Sequence, residues 1–338
     1  MNLSSIVGEL SRLPGVNIEC MPEEDRLLVH VSGRNVLVRV VLRASGYPRD
    51  VRAAVWQALA VSSAQETLMV CAPVLTTGSR AWLQQEGIAY LDEQGNLFLK
   101  ADGVYVLRES SEKAARSSPP AETNIFRGRA TQVLHALLHT PDRHWHVTNL
   151  AEEARVAPGT AVRVCDMLEK MLLMEREGRG PQSLRRVPKP GALLDAWAAH
   201  HRLDSYLIHR YYRWMADLDV LAAAIGAAIE QQKAAYAATL TLGALHRAPF
   251  VTQTQQIALL HTAGLDLPRL TADCQLQPAE EGYNVLLLAT PNEGPLLYKQ
   301  KVDTLWIVSD IQLYLDLSAA PGRSREQAAH LRRERIGF

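Results

Sequence analysis

The chain is poor in cysteine and aromatic residues and has no excess of either charge, and each shortage removes a class of protein. Four cysteines, Cys20, Cys71, Cys165 and Cys274, are scattered over 338 residues with no CxxC pair. That argues against a disulfide-stapled scaffold or a cysteine-based zinc module, and the thiols read as reduced and mostly buried. Lys plus Arg and Asp plus Glu both number 36, so the formal net charge is zero. Any affinity for nucleic acid must therefore come from local charge. Long apolar runs are missing too. The most apolar stretch, VLAAAIGAAI at 220–229, is ten residues, about half of what a membrane span needs. The first residues carry neither a basic leader nor a long apolar core, so no secretory signal is expected. What is present, 47% apolar and 21% charged residues, describes a folded soluble protein, expected in the cytoplasm and off the membrane. The length implies two or three domains.

Residues 109–124 are polar and rich in small residues, with a Pro-Pro pair, and read as a linker. A softer boundary falls at VPKPG, 187–191. The expected fold class is therefore α/β multidomain, with units at 1–108, 125–190 and 191–338. In the first, a helix from Ser4 to Leu13 precedes RLLVHV and NVLVRVVL, a hairpin-like pair of β-branched runs. A helix opened by Pro48, the short strand TLMVCA, a helix over SRAWLQQEG stopped by Gly87, and the strands IAYLD and NLFLK follow. This order resembles the restriction-endonuclease-like fold. The last unit reads as α/β or α+β: a long helical region from Leu203 to about Ala238, the strands QIALLHT, YNVLLLA, TLWIVS and IQLYLDL, and a closing helix SREQAAHLRRERI.

The middle unit carries the functional signal. Helix one, Arg127 to His139, repeats apolar residues at Val133, Leu134, Leu137 and Leu138, and HWHV can form a short strand. Thr148 is a natural N-cap for NLAEEARV, and the Val156–Thr160 turn opens a second helix, as in a helix-turn-helix. Val162, Cys165, Leu168 and Leu172 are expected on its buried face, leaving Thr160, Arg163, Asp166, Met167 and Lys170 outside. Side chains near the start of such a helix reach base edges in the major groove. The following MEREGRGPQSLRR, with Gly178, Gly180 and Pro181 at its centre, reads as a hairpin wing bearing Arg176, Arg179, Arg185 and Arg186. Residues 125–190 hold 11 Lys/Arg against 7 Asp/Glu, about +4 in a neutral chain. The expected DNA contacts are Arg127, Arg129, Thr148, Thr160, Arg163, Lys170, Arg176, Arg179, Arg185 and Arg186, with double-stranded DNA as the partner. A winged helix used only for packing or dimerisation is the alternative.

Catalytic and metal constellations are weak, and no metal, cofactor or enzymatic activity is expected. His139, His144 and His146 surround Trp145, but no cysteine or carboxylate completes a zinc set. His200, His201, His209, His246 and His261 fit no ligand spacing. An active endonuclease-like site needs an acid on one strand and an E-x-K pair on the next, whereas residues 36–41 offer neither acid nor lysine. Glu23, Glu24 and Asp25 read as a solvated turn, and Asp92 with Gly95 and Asn96 as Asx-type backbone capping. Asp303, Asp310 and Asp316 lack the paired carboxylates of a nucleotidyltransferase.

The combination of GIAYLDEQGNLFLKADGVYV, the helix-turn-helix segment and IQLYLDLSAAPGRSREQAAHLRRERI resembles the AbiEi-type antitoxins of type IV toxin–antitoxin systems. Its sharper motifs are Leu91-Asp92-x-x-Gly95-Asn96-Leu97, Gln312-Leu313-Tyr314-x-Asp316-Leu317 and Pro321-Gly322-Arg323. The resemblance implies a repressor that binds inverted repeats upstream of its own operon and limits a nucleotidyltransferase-like toxin without a tight complex. Typical members begin with the winged helix. Here about 120 residues precede it, as in a long form with an inactive endonuclease-like domain. A homodimer on the inverted repeat and a cognate toxin are the protein partners this reading allows. The other class of reading is a DNA-targeted effector or nuclease-like protein of a mobile-element or defence system.

Overall fold

The computed structural model describes residues 2–13, 15–21, 25–31, 33–59, 66–101, 103–109, 124–250 and 256–338. Nearly all of the expected linker at 109–124 lies outside them, as do Glu23 and Glu24. The chain is mixed α/β and divides into two compact units, Met1–Asn124 with Met167–Leu172, and Ile125–Asp166 with Leu173–Phe338.

The first unit runs α1 (Leu3–Leu10), β1 (Val16–Met21), β2 (Arg26–Val31), β3 (Arg34–Leu42), α2 (Pro48–Leu59), β4 (Thr67–Ala72), α3 (Thr77–Gln85), β5 (Ala89–Asp92), β6 (Leu97–Ala101) and β7 (Val104–Arg108). Among the described residues its strands form one seven-stranded sheet in sequence order. β1, β2 and β3 are antiparallel, α2 and α3 cross over to the parallel strands β4 and β5, and β6 and β7 return antiparallel. Each helix begins where its sequence provides a start: Asn2 and Thr76 accept the Ser5 and Ser79 amides, and Pro48 opens α2. Alternating side chains fill both faces of the sheet. Ile6, Leu10, Val29, Val38, Met69 and Leu91 form one core, and Val51, Val55, Val70, Leu83, Tyr90 and Phe98 the other.

Two strands here were not expected. β1 alternates exposed Asn17 and Glu19 with half-buried Val16 and Ile18, and β7 exposes Tyr105 and Leu107. Both are edge strands, whose outer face is not covered, so neither shows the full apolar signal of a central strand.

In the second unit the elements are α4 (Ala130–His139), α5 (Val147–Glu153), α6 (Pro158–Lys170, of which the residues from Met167 on are counted with the first unit), β8 (Glu175–Glu177), β9 (Leu184–Arg186), α7 (Pro190–His200), β10 (Leu207–Tyr212), α8 (Leu218–Gln231), β11 (Tyr236–Ala238), α9 (Leu240–Arg247), β12 (Ile257–His261), α10 (Leu267–Asp273), β13 (Gln277–Pro278), β14 (Val285–Ala289), β15 (Gln300–Val302), β16 (Leu305–Ile307), α11 (Asp310–Ala319) and α12 (Ser324–Leu331). A mixed seven-stranded sheet ordered β13-β10-β14-β12-β11-β16-β15 carries a core on each face. Gly226 lets α8 lie against β11, because a Cβ at that position would run into the Tyr236 ring.

The long helix expected from Leu203 to about Ala238 is instead a strand, a helix and a strand. LIHRYY is β-branched and aromatic and pairs with β14. Asp217 then caps α8 by accepting the Asp219 and Val220 amides, fixing the helix start well downstream of Leu203. IQLYLDL, expected as a strand, is α11. Its alternation is misleading, because Ser309 caps the Gln312 amide at 3.0 Å and the helix is buried on several sides. A helix buried all round loses the polar stripe that would mark its period.

Candidate nucleic-acid interface

Residues 125–190 fold as helix, bridge, helix, helix and hairpin. α4 is deeply buried, with Val133, Leu134, Leu137 and Leu138 at 2% exposure or less. Trp145 forms a single antiparallel bridge with Arg185 of β9, each amide donating to the other's carbonyl at 2.8 Å. The expected HWHV strand is reduced to that one bridge beside the β8–β9 hairpin, since Val147 already begins α5 (Val147–Glu153).

Thr148 does not cap the next helix. α5 starts at Val147, preceded by His146 in extended backbone, so Thr148 sits exposed in the first turn with its hydroxyl donating to Asn149. A Thr is interchangeable with its neighbours as a helix-start signal unless its side chain meets a free amide, and here it does not. Between α5 and α6 the chain turns through Arg155 at φ 52°.

α6 presents its first half to solvent. Ala161, Val164, Cys165 and Leu168 are fully buried, while Val162 is 45% exposed beside exposed Arg163. The buried stripe thus starts one residue before the expected one: 161, 164, 165 and 168 keep the i, i+3, i+4, i+7 spacing of one helical face. Small Ala161 hid the true phase. Leu172 lies past the helix end at φ 58° and is exposed. Arg163 has no hydrogen bond or ion pair among the described residues. Thr160 is half-buried in the first turn, and Lys170 ends the helix half-buried.

The hairpin changes the account of its arginines. Arg185 is buried at 5% exposure, and its Nη1 donates to the Ser183 hydroxyl at 2.6 Å. It was expected to meet phosphate, but the strand alternation turns it inward opposite Arg176. Arg186 pairs with Glu175 and Glu177 at 2.5 and 3.1 Å, and Glu177 also meets His144 Nδ1 at 3.1 Å. Arg176 is exposed and donates from Nε to Ser183 at 3.2 Å. Arg179 is exposed at the hairpin tip, as is Arg129 before α4. A basic residue absent from the expected set stands nearby: exposed Arg143 places its guanidinium 3.9 Å from the centre of the Trp145 ring. The charge count included it, but no helix or wing pattern singled it out.

Arg127 lies elsewhere. It lines a cleft of about 380 Å³ formed by the entry to α4, the α7 end and the segment after it, the 291–295 turn and α11. Neither α6 nor the hairpin contributes to that cleft. Beneath it lies a buried polar network. Asp316, with no exposed surface, accepts from His201 Nε2 (2.8 Å), Tyr206 hydroxyl (3.0 Å) and Gln312 Nε2 (2.9 Å) on one oxygen, and from the Thr239 hydroxyl (2.6 Å) on the other. Burial, followed by the Asp316 charge, holds the Tyr206 phenol well above its ordinary pKa. His135 of α4 is also buried, with Nδ1 3.3 Å from the Gly294 carbonyl and Nε2 2.5 Å from the Ser309 hydroxyl. Burial lowers its pKa to about 4. These residues join α4 to the C-terminal segments within one unit.

The remaining sequence candidates have local partners. His139 stacks on Tyr298 at 3.9 Å, and no group of three His, Cys, Asp or Glu suited to a metal occurs among the described residues. Asp92 is buried and accepts from the Gln94 and Asn96 amides at 3.0 and 2.9 Å, the expected backbone capping. Asp310 forms a two-pronged pair with Arg247 at 2.7 and 2.8 Å. Among the described residues no helix is long and apolar enough to cross a membrane. The chain matches no protein-family model, no curated protein and no solved structure.

Proposed function

We propose that the protein is a sequence-specific DNA-binding regulator that reads DNA through a winged helix-turn-helix at residues 125–190. The observation that carries this reading is the solvent-facing side of α6's first half, where Val162 and Arg163, whose side chain has no partner among the described residues, are exposed, followed in the chain by a hairpin bearing exposed Arg176 and Arg179. The order helix, bridge, helix, helix, hairpin supports the winged-helix assignment. Arg163 is the base reader: its planar fork donates two hydrogen bonds to guanine O6 and N7. Val162 beside it offers an apolar contact to a thymine methyl. Arg176, Arg179 and Arg129 contact phosphates, which orient the protein without reading sequence. Arg143 on the Trp145 face is added to that set. Arg185 is dropped from it, and Arg186 is reduced to a minor contributor by its two carboxylates.

The antiparallel β1–β2–β3, the α2 crossover and parallel β4 are consistent with an endonuclease-like first unit. Glu66, whose side chain is 2% exposed, is paired with Arg26 at 2.7 Å and Arg39 at 3.6 Å, so its charge is already countered by protein cations. That supports a regulatory rather than a nucleolytic role. On this reading the protein is an autorepressor and antitoxin of the AbiEi type, acting as a pair on an inverted repeat, because one winged helix covers only half a site.

The test is footprinting of full-length protein on the promoter of its own operon, followed by binding measurements for two variants. Arg163→Ala is expected to weaken the specific site by about 10- to 100-fold and random DNA little, from the loss of one bidentate pair of about 1–3 kcal/mol. Arg179→Ala is expected to weaken both alike and to lower the salt slope by roughly one unit. Equal losses on specific and random DNA for Arg163→Ala would remove α6 as the reading helix.

A further inference from the structure

The cleft beside α4 has a charge pattern that DNA reading does not use. Arg127 is exposed on it, with no hydrogen bond or ion pair among the described residues. Arg202 also lines it. Its Nη1 donates to the Ala199 and His201 carbonyls at 2.9 and 2.7 Å, which positions the guanidinium and leaves its other N–H groups for an outside acceptor. His201 is held in the lining by Asp316, and Asp204 is the single carboxylate residue there. Gln312 commits its amide nitrogen to Tyr206 and Asp316 at 3.1 and 2.9 Å, so its amide oxygen is the group left to accept from a ligand. Trp197 and the Phe126–His200 stack, 4.5 Å between ring centres, add flat apolar surface.

We propose that this cleft binds a small phosphomonoester, its phosphate taken by Arg127 and Arg202 and a hydroxyl or amine of its organic part donating to Gln312. Two guanidinium forks match phosphate oxygens in geometry as well as charge. The volume falls near the lower end of small-ligand sites, about 300–1,000 Å³, which suits a sugar phosphate or mononucleotide and excludes a duplex. The first residues of the cleft precede or begin α4, so the ligand contacts the DNA-reading module and the C-terminal segments together. Binding is measured without DNA, so its failure and that of the DNA reading are separate results.

Calorimetric titration of the full-length protein with AMP and with glucose 6-phosphate tests the site, with adenosine, glucose and inorganic phosphate as references. At least one phosphomonoester is expected to bind with Kd below about 1 mM, and its uncharged counterpart not to bind. Arg127→Gln is expected to weaken that binding by about 10-fold or more through loss of charge-assisted bonds. Its thermal stability is expected to be unchanged, since the Arg127 side chain has no hydrogen bond or ion pair among the described residues. The proposal is overturned if neither phosphomonoester gives heat, if adenosine or glucose binds as well, if inorganic phosphate alone binds as tightly, or if Arg127→Gln binds like the native protein.

Discussion

Asp316→Ala is expected to cost about 3–5 kcal/mol of unfolding free energy, the range for removing one member of a buried charged group. The carboxylate has no exposed surface and accepts four hydrogen bonds from α7's end, the segment after it, the β11–α9 junction and its own helix. Alanine leaves the donors of His201, Tyr206, Gln312 and Thr239 without that acceptor and opens a polar hole that water reaches poorly. Each stranded donor carries a desolvation penalty of about 1–3 kcal/mol, partly relieved by local rearrangement. Asp316→Asn keeps the volume and one carbonyl acceptor, so it is expected to lose roughly half as much. Urea denaturation followed by circular dichroism measures both, with the slope m reporting whether the native state stays compact. A loss below about 1 kcal/mol for Asp316→Ala would place it among ordinary surface changes and show that the network does not hold these segments together.

The same residue shows where the sequence was readable and where it was not. Gln312 and Asp316 stood out as a motif, yet the alternating apolar residues between them favour a strand. Only the Ser309 cap, three residues before Gln312, points to a helix. A capping pair fixes where a helix starts, whereas periodicity fails once all sides are buried. The succession of α5, a short turn and α6 was legible because each helix has one polar face and the turn between them is short. The phase of α6 was not, because an alanine can sit on either side of an amphipathic stripe, and Ala161 decided the register. Strands at sheet edges fared worst: β1 and β7 carry polar or exposed residues where central strands carry valine and leucine.

The basic residues follow a similar rule. Counting charge located the segment but not the partners of each arginine. Arg185 and Arg186 are adjacent in sequence and opposite in fate, one buried against Ser183, the other bridged to Glu175 and Glu177 across the hairpin. Side chains on consecutive strand positions point to opposite faces, so neighbouring arginines in a hairpin do not share one surface. On the proposed reading, the charge left for DNA is therefore smaller than the count of +4 for the segment and would rest on Arg163, Arg176, Arg179 and Arg143. The +4 alone does not carry the interface.

Acid is expected to destabilise the protein through His135, by about 3 kcal/mol between roughly pH 6.5 and pH 4. Its ring is buried where α4 meets the 294–309 region, and burial lowers its pKa from 6.5 to about 4. The Gly294 carbonyl can only accept, so Nδ1 carries the proton and Nε2 accepts from the Ser309 hydroxyl, which in turn accepts the Gln312 amide. That arrangement requires a neutral ring. Above pH 6.5 both folded and unfolded chains keep it neutral and the group contributes no pH dependence. As the pH falls below 6.5 the unfolded chain takes up a proton that the folded chain refuses, so folding weakens; below about 4 both are charged and the loss levels off. Of the charged neighbours, His139 lowers the His135 pKa further and Asp316 opposes it. Burial also lowers the pKa values of His139 and His261, so they add to the slope. His135→Leu separates the contributions, since it removes one titrating group and leaves the other two. Unfolding free energies measured by urea across this range are expected to fall less steeply for the variant than for the native protein. Parallel curves for the two would mean that His135 takes up its proton without disturbing the α4 contact.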